Sequence, residues 1–471
     1  MEPRWCALSI ALLSVSFEVG PAAAQGTPGS TIQAVPSFSG QVLATGLEFP
    51  WEITWGPDGF LWVTERVGKR VTRVDPTTGE KTTAVRIDEV LVGEQQGLLG
   101  LALHPELLRE TDKDFVYVTY TYDAEQGQAP VRRAKIVRFG YDRALRTLGR
   151  PKEILSGIPA GTDHNGGRLA FGPDGMLYLT SGDQGGNQSE NLCTPSRAQA
   201  LPTAEEIGSR NWSSYTGKIL RLTPDGEIPR DNPTIEGVQS HIYSYGHRNP
   251  QGIAFGPDGT LYSSEHGPDT DDEINVIEAG KNYGWPHVAG YRDDQAYGFQ
   301  NWSAAPDCES LSRNDRNNPN AVPKQKETEW TSLDYRDPII TMYTVPNTHN
   351  FEDPACKGRF FICWPSIAPA GLAFYPSVGP VPRWGRSLLA TTLKHGALYR
   401  FKLTADGRSN KDVEQTFVTV NRYRDLAVGP DGKTVYIATD NEGLARDLEG
   451  GATDRLANPG SILVFRYTGQ D

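Results

Sequence analysis

The 471-residue chain has no Walker loop, no HExxH helix, no GxSxG elbow and no GxGxxG between a strand and a helix. Those patterns cradle nucleotide phosphates, hold a catalytic zinc, expose a serine nucleophile and seat a dinucleotide, respectively. Their absence argues against a nucleotide-driven enzyme, a zinc or serine hydrolase and a nicotinamide dehydrogenase. Basic excess is missing too: 46 Lys and Arg face 58 Asp and Glu, a net charge of −12. That balance argues against nucleic acid or an anionic membrane as the main partner. Long apolar runs are also lacking. The best candidate, Ala7 to Phe17, is too short for a bilayer, so no membrane insertion is expected. Cysteine is scarce, at five residues.

That short apolar run has its own meaning. Arg4 precedes it and Ala22-Ala23-Ala24 follows it, so residues 1–24 read as a secretory signal. Export to a periplasmic or secreted location is expected. The leader carries Glu2, Arg4 and Glu18, a net −1, so its removal leaves the mature chain at −11. Cys6 leaves with it. Cys356 and Cys363, seven positions apart, are expected to form a local disulfide in an oxidising compartment. Cys193 and Cys308 either pair across the fold or stay free. Residues 25–39 are Gly/Pro/Ser-rich and read as a flexible lead-in, followed by one domain over 40–471.

Within that domain the chain repeats itself. GPDG occurs at Gly56, Gly172, Gly256 and Gly429, each time before a short strand: LWVTE, LYLTSGD, LYSSEHG and TVYIATD. A second unit recurs as GKRVTRVDPTTG, GKILRLTPDG, GALYRFKLTADG and GSILVFRYTG. Short alternating runs closed by Asp/Gly turns are antiparallel strands, and copies of them along the chain form a radial β array, most simply a propeller. The GPDG spacings of 116, 84 and 173 residues require degenerate blades or insertions. Gln188 to Ser214 and Asp293 to Trp330 are the candidate insertions.

The polar motifs are scattered, but loops at one end of a propeller converge. The stretch Gly246 to Asn275 sets Arg248 and Asn249 before one strand. It then delivers Glu265, His266, Gly267, Pro268 and four acids (Asp269, Asp271, Asp272, Glu273) after the next. Its plain reading is a hairpin with solvated acids; its functional reading is an anion-binding Arg beside an oxygen-rich loop. Gln95 and Gln96 precede a Gly-flanked turn. Asp163 beside His164 could hold an imidazole in one tautomer for general-base work. GDQGGNQ offers Asp183, Gln184, Asn187 and Gln188 for hydroxyl recognition. Arg422 and Arg424, at i and i+2, share a strand face. With Arg248 and Lys394 they form either surface ion pairs or a four-cation cluster suited to a small polyanion bearing several carboxylates or phosphates.

Taken together, these motifs resemble the soluble, pyrroloquinoline-quinone-dependent glucose and aldose dehydrogenases. The matching segments are GLLG after Gln95, DHxxGRL at Asp163, GDQGxNQ at Asp183, GHRNPQG at Gly246, GPxxDDEIN at Gly267, NYGWPxVAGY at Asn282, ICWP at Ile362, LK at Leu393 and NRYRD at Asn421. They run in order through almost the whole mature chain. The resemblance implies an all-β, six-bladed propeller of four-stranded antiparallel blades, a homodimer, and the cofactors pyrroloquinoline quinone (PQQ) and Ca2+. It implies that Gln95, Arg248, Asn249, Lys394, Arg422 and Arg424 hold the quinone, whose three carboxylates account for the cations. One calcium would take the carbonyls of Gly267 and Pro268. A second would take those of Ala289 and Tyr291 with Asp293 and Glu327. His164, oriented by Asp163, would remove the anomeric proton as hydride passes from the sugar to the quinone, giving the lactone. Calcium and Arg248 would stabilise the oxyanion. Gln95, Asp163 and Gln188 would hydrogen-bond the aldose, Trp364 would stack on it, and Phe361 would stand beside it.

Two departures bear on the substrate. The family's glucose enzyme has Tyr at the position of Phe361 and Arg at that of Gly186. The rival readings are a calcium-dependent propeller hydrolase of the lactonase type and a non-catalytic sugar-binding propeller; neither has an evident use for four cations. The electron acceptor is unidentified from sequence.

Overall fold

The computed structural model describes residues 38–469 apart from 126, 128, 312–318 and 357. The signal segment lies outside the described residues, as does the lead-in up to residue 37. Six four-stranded antiparallel sheets follow one another around a ring. The first blade is built from Pro50–Trp55, Leu61–Glu65, Arg70–Val74 and Lys81–Arg86, and the second from Leu98–Leu103, Phe115–Asp123, Arg132–Asp142 and Thr147–Pro159. Leu169–Phe171, Leu177–Ser181, Lys218–Leu222 and Ile242–Tyr245 form the third. Pro250–Phe255, Leu261–Glu265, Asp272–Ile277 and Ile340–Met342 form the fourth. The fifth comprises Pro369–Tyr375, Ser387–Thr392, Gly396–Leu403 and Asn410–Thr419.

The sixth blade closes the ring. Tyr423–Val428, Thr434–Thr439 and Ile462–Tyr467 supply three strands, and Phe38–Ala44 pairs with the last of them, Phe38 opposite Tyr467. Phe38 and Ser39, read from sequence as the end of the lead-in, therefore already belong to the propeller. Phe38 is buried among Trp384 and Phe417, with ring centroids 5.1 and 4.9 Å away.

Strand alternation explains how the blades adhere. Successive side chains point to opposite faces. In the second blade, Val116 and Val118 pack toward Trp62 and Val71 of the first, while Tyr117 packs toward Leu169 and Leu177 of the third. The same sharing recurs at every blade boundary, including Ile437 and Leu463 against Leu389 and Leu398. The GPDG turns join the first and second strands of blades one, three, four and six, so the wide spacings each span a blade that uses another turn. Their aspartates brace the blade: Asp58 accepts from Trp62 Nε1 at 3.1 Å and pairs with Arg73 at 2.6 Å, as Asp174 does with Tyr178 and Arg221.

The ring axis is plugged by one cation. Arg168, 3% exposed, pairs with Glu52 at 2.5 Å and Asp425 at 2.9 Å, and donates through Nε to the Gln251 carbonyl at 2.9 Å. Four blades meet on this one guanidinium. Burial pushes the Glu52 carboxyl well up and Asp425 up as well, with Arg168 opposing both.

Topology explains why scattered motifs can converge. In each blade the second-to-third-strand loops, and the links to the next blade, emerge at the end opposite the GPDG turns. The insertion at 182–217 is one such loop. The long segment 278–339 turns back to the same end, where Cys193 and Cys308 form a disulfide that ties the two insertions together. That settles the pairing left open by sequence, and Cys356–Cys363 is bonded as expected. No described helix is long and apolar enough to cross a membrane.

Candidate active site

His164 sits on the link between the second and third blades, 6% exposed, with a left-handed φ of 43°. Its Nδ1 lies 2.7 Å from Asp183 Oδ1. A carboxylate only accepts, so Nδ1 carries a proton, and in the neutral ring the lone pair lies on Nε2. Asp183 is itself held from several sides. Oδ1 also accepts from Gly185 N at 2.9 Å, while Oδ2 accepts from Trp285 Nε1 at 2.6 Å and Gln188 Nε2 at 2.9 Å.

This corrects the expectation that Asp163 orients the imidazole. Asp163 caps the His164 backbone N–H at 2.9 Å, accepts from the Gln95 amide, and lies only 3.5 Å from Nε2. The left-handed turn at His164 points Nδ1 to the Gly182–Gln188 loop instead. Asp163 is thus placed at the open face of the ring, with 30% of its side chain exposed.

Asn165 and Gly166, which follow His164, border a cavity of about 500 Å3 lined also by Gln95, Arg66, His266, Lys394, Arg422 and Arg424. Arg424 binds Asp440 through Nε at 3.0 Å and Nη2 at 2.8 Å, and Arg422 reaches the same carboxylate at 3.2 Å. Burial pushes Asp440 up, but the two guanidiniums outweigh it and hold the carboxyl below its ordinary value. Lys394, 9% exposed, donates to Ser366; burial lowers it to about 8, opposed by Asp272. Arg248 stands on the adjoining face, where its Nε meets Gln188 Oε1 at 2.9 Å and its guanidinium lies 5.4 Å from the Trp285 ring. The structure thus brings the four predicted cations to one end of the ring. It places Gln188 as a bridge between Asp183 and Arg248.

Two contributors, Arg66 and His266, were given no role from the sequence. Arg66 donates to the carbonyls of Gly93, Glu94 and Gln96 at 2.7, 2.7 and 3.0 Å, which fixes the loop presenting Gln95. Burial and the nearby Arg424 lower its pKa to about 10. His266 is half-buried, and desolvation, reinforced by Arg248 and His164, holds its imidazole well below the ordinary value. A signal was available. Arg66, Asp183, His266, Lys394 and Asp440 each stand one or two residues past the second strand of their blade.

Buried polar atoms without partners test the fit of a polyanionic cofactor. Asn249 Nδ2 and His266 Nε2 are both unpaired at this end of the ring. Orphaned polar atoms beside a cation-lined cavity suit an absent polar molecule.

The acidic hairpin is not the solvated loop of its plain reading. Asp271, Asp272 and Glu273 are all buried, and Asp272 and Glu273 open a strand. Asp272 accepts from Gly267 N at 2.9 Å and from Ile367 N and Ala368 N, fixing the Gly267–Pro268 bend. A cavity of about 10 Å3, roughly one water, adjoins Gly267 and Pro268. Nearby, Glu327 is fully buried and accepts from Ala289 N and Asp294 N, both at 2.9 Å. Burial raises it to about 8, with Asp293 adding to the rise. Among the described residues no three acidic, His or Cys side chains converge as a ligand set.

Phe361 lies on a helical turn, Phe360–Cys363, rather than a loop, and is 46% exposed. Trp364 follows it, its Nε1 donating to the Phe351 carbonyl at 3.0 Å and its ring 5.9 Å from Lys394 Nζ. Phe361, Trp364, Arg248 and Gln188 share a second cavity of about 400 Å3.

Comparison with known proteins agrees with this geometry. The family model described as glucose/sorbosone dehydrogenase matches residues 47–310 and 332–446. Quinoprotein glucose dehydrogenase B of Acinetobacter calcoaceticus is 40% identical over 440 residues, 92% of this chain and 91% of that protein. The PQQ-bound aldose sugar dehydrogenase of Streptomyces coelicolor superposes with a TM-score of 0.61 at 28% identity, covering 92% of this chain and 99% of that one. The apo aldose sugar dehydrogenase of Escherichia coli gives 0.61 at 25% identity, covering 91% and 99%.

Proposed function

The chain belongs to the glucose/sorbosone dehydrogenase family, and from that premise we propose that it oxidises aldoses at the anomeric carbon to the lactone, with pyrroloquinoline quinone and Ca2+ as cofactors. One observation carries the reading: the His164–Asp183 pair stands at the end of the ring where Lys394, Arg422 and Arg424 line one cavity, whose wall includes Asn165 and Gly166 directly after His164.

Arg422, Arg424 and Lys394, with Asn249 and Gln95, would hold the quinone, Arg248 facing it from the adjoining wall. The Gly267 and Pro268 carbonyls would hold a calcium beside it. A second, structural calcium would take the Ala289 and Tyr291 carbonyls with Asp293 and Glu327. When bound, the quinone supplies a two-electron acceptor and the metal a Lewis acid. His164 Nε2 takes the proton of the anomeric hydroxyl, and Asp183 stabilises the imidazolium that results. Arg248, fixed by Gln188, presents positive charge to the developing oxyanion. Asp163, Gln95 and Trp364 orient the sugar ring. An exported location and a homodimeric state complete the proposal.

Purified quinone-free protein tests it. Dye-linked oxidation of glucose and other aldoses is expected only after pyrroloquinoline quinone and calcium are added together. Undiminished oxidation after full removal of both would overturn the reading.

A further inference from the structure

The segments Gly161–Thr162 and Asp183–Gln184 form a wall beside His164. Its far side lines a separate open groove of about 840 Å3, large within the roughly 300–1,000 Å3 range of ligand sites. Four arginines stand in this groove. Arg132 and Arg133 begin the third strand of the second blade, and Arg197 and Arg210 come from the insertion at 182–217. None of the four has an acidic partner among the described residues, and Arg132 Nε is buried with no hydrogen-bond partner at all. Arg132 and Arg133 are half-buried, while Arg197 and Arg210 are exposed. Of the two acids on the lining, Glu190 and Asp183, the second already accepts from four donors. A concentration of unpaired guanidiniums in a chain of net charge −12 marks a place for an anion.

The groove also has the right position. Thr162 and Gly161 immediately precede Asp163 and His164, and the Thr162 carbonyl accepts from Gln95 N at 3.2 Å. A saccharide whose reducing end faces His164 can extend over this short segment into the groove. The buried Trp212 adds an aromatic side chain to the lining.

We propose that the groove receives the acidic continuation of an oligosaccharide: the reducing-end aldose lies at His164 while the carboxylate of the next sugar, a uronic acid, binds among Arg132, Arg133, Arg197 and Arg210. This rests on the aldose-oxidising reading above. Guanidinium forks match a carboxylate in two-point geometry, which a neutral disaccharide cannot use.

Three substrates test it on the loaded enzyme: glucose, cellobiose, and the disaccharide of glucuronic acid β-1,4-linked to glucose. Catalytic efficiency for the acidic disaccharide should exceed that for cellobiose by about tenfold at low salt and converge on it as salt rises, as expected for a charge-assisted contact. Arg197→Gln combined with Arg210→Gln should narrow that gap several-fold and leave glucose oxidation unchanged, which also reports that the variant folds. Calorimetry on quinone-free protein should show the acidic disaccharide binding more tightly than cellobiose. Equal efficiencies and equal binding of the two disaccharides, or a gap that survives the double variant, would overturn the proposal. Failure of glucose itself to react would instead sink the oxidation reading, and the calorimetry would still decide the groove.

Discussion

Asp183 accepts from His164 Nδ1 at 2.7 Å through one oxygen and from Trp285 Nε1 at 2.6 Å through the other. The carboxylate is thereby locked between the proposed base and an insertion of the neighbouring blade. Its charge and its geometry reach His164 together.

Asp183→Asn should therefore cut turnover by about 10²–10⁴-fold, because an amide can donate to Nδ1 and favour the tautomer that has no lone pair on Nε2 free. Asp163→Asn should act mainly on the sugar KM. Steady-state kinetics on both variants, loaded with quinone and calcium, check the contrast. Equal losses in kcat would return the orienting role to Asp163.

Much of the fold was legible in the sequence because its signals are local. GPDG specifies a tight reversal from four neighbouring residues, and alternation specifies a buried strand face. Ring closure was not legible. Phe38 finds Tyr467 across nearly the whole chain, and nothing near Phe38 advertises that partner. The same limit hid the His164–Asp183 pair. Both residues were visible as polar loops, but adjacency in sequence favoured Asp163, and only the backbone turn at His164 decides between them. Arg66 and His266 look like ordinary strand-end residues until the blades are aligned in register.

The metal proposal makes a prediction about pH. Burial raises Glu327 to about 8 and Asp271 to about 6 in metal-free protein. Both values lie above those of the unfolded chain, so the folded state binds more protons. The associated stability is full below about pH 4 and is lost as pH rises through 6 and then 8. Calcium, which prefers the ionised carboxylates, should reverse that loss. Thermal unfolding across pH 5–9 with and without calcium is the check, and the calcium increment should grow with pH. A pH-independent increment would remove Glu327 from any cation site.

Phe361 and Trp364 make separable contributions to sugar recognition. Phe361→Tyr adds one hydroxyl to a half-exposed ring, worth about 0.5–1.5 kcal/mol if it bonds the sugar, so glucose efficiency should change by roughly tenfold or less. Trp364→Ala should cost more, since it removes the larger face and the ring near Lys394. Efficiencies for several aldoses would decide. A hundredfold effect at Phe361, or silence at Trp364, would contradict this picture of the mouth.

Arg168→Met should destabilise the whole ring. It leaves Glu52 and Asp425 buried without their cation, a loss of about 3–5 kcal/mol for a broken buried pair. Denaturant unfolding would measure it, and adding Glu52→Gln should recover part of the loss. A neutral single variant would mean that water replaces the guanidinium.

Phe38–Ala44 latches a blade whose innermost strand begins next to Arg422 and carries Arg424. An open latch thus loosens the same sheet that presents two guanidiniums to the cation-lined cavity. The two events share one equilibrium. A ligand held by those arginines binds the latched ring better than the open one, so by mutual linkage it must also hold the latch shut. Amide hydrogen exchange along Phe38–Ala44, far from any ligand contact, would then slow on quinone binding, and truncating that strand would weaken quinone affinity without removing a single residue that touches it.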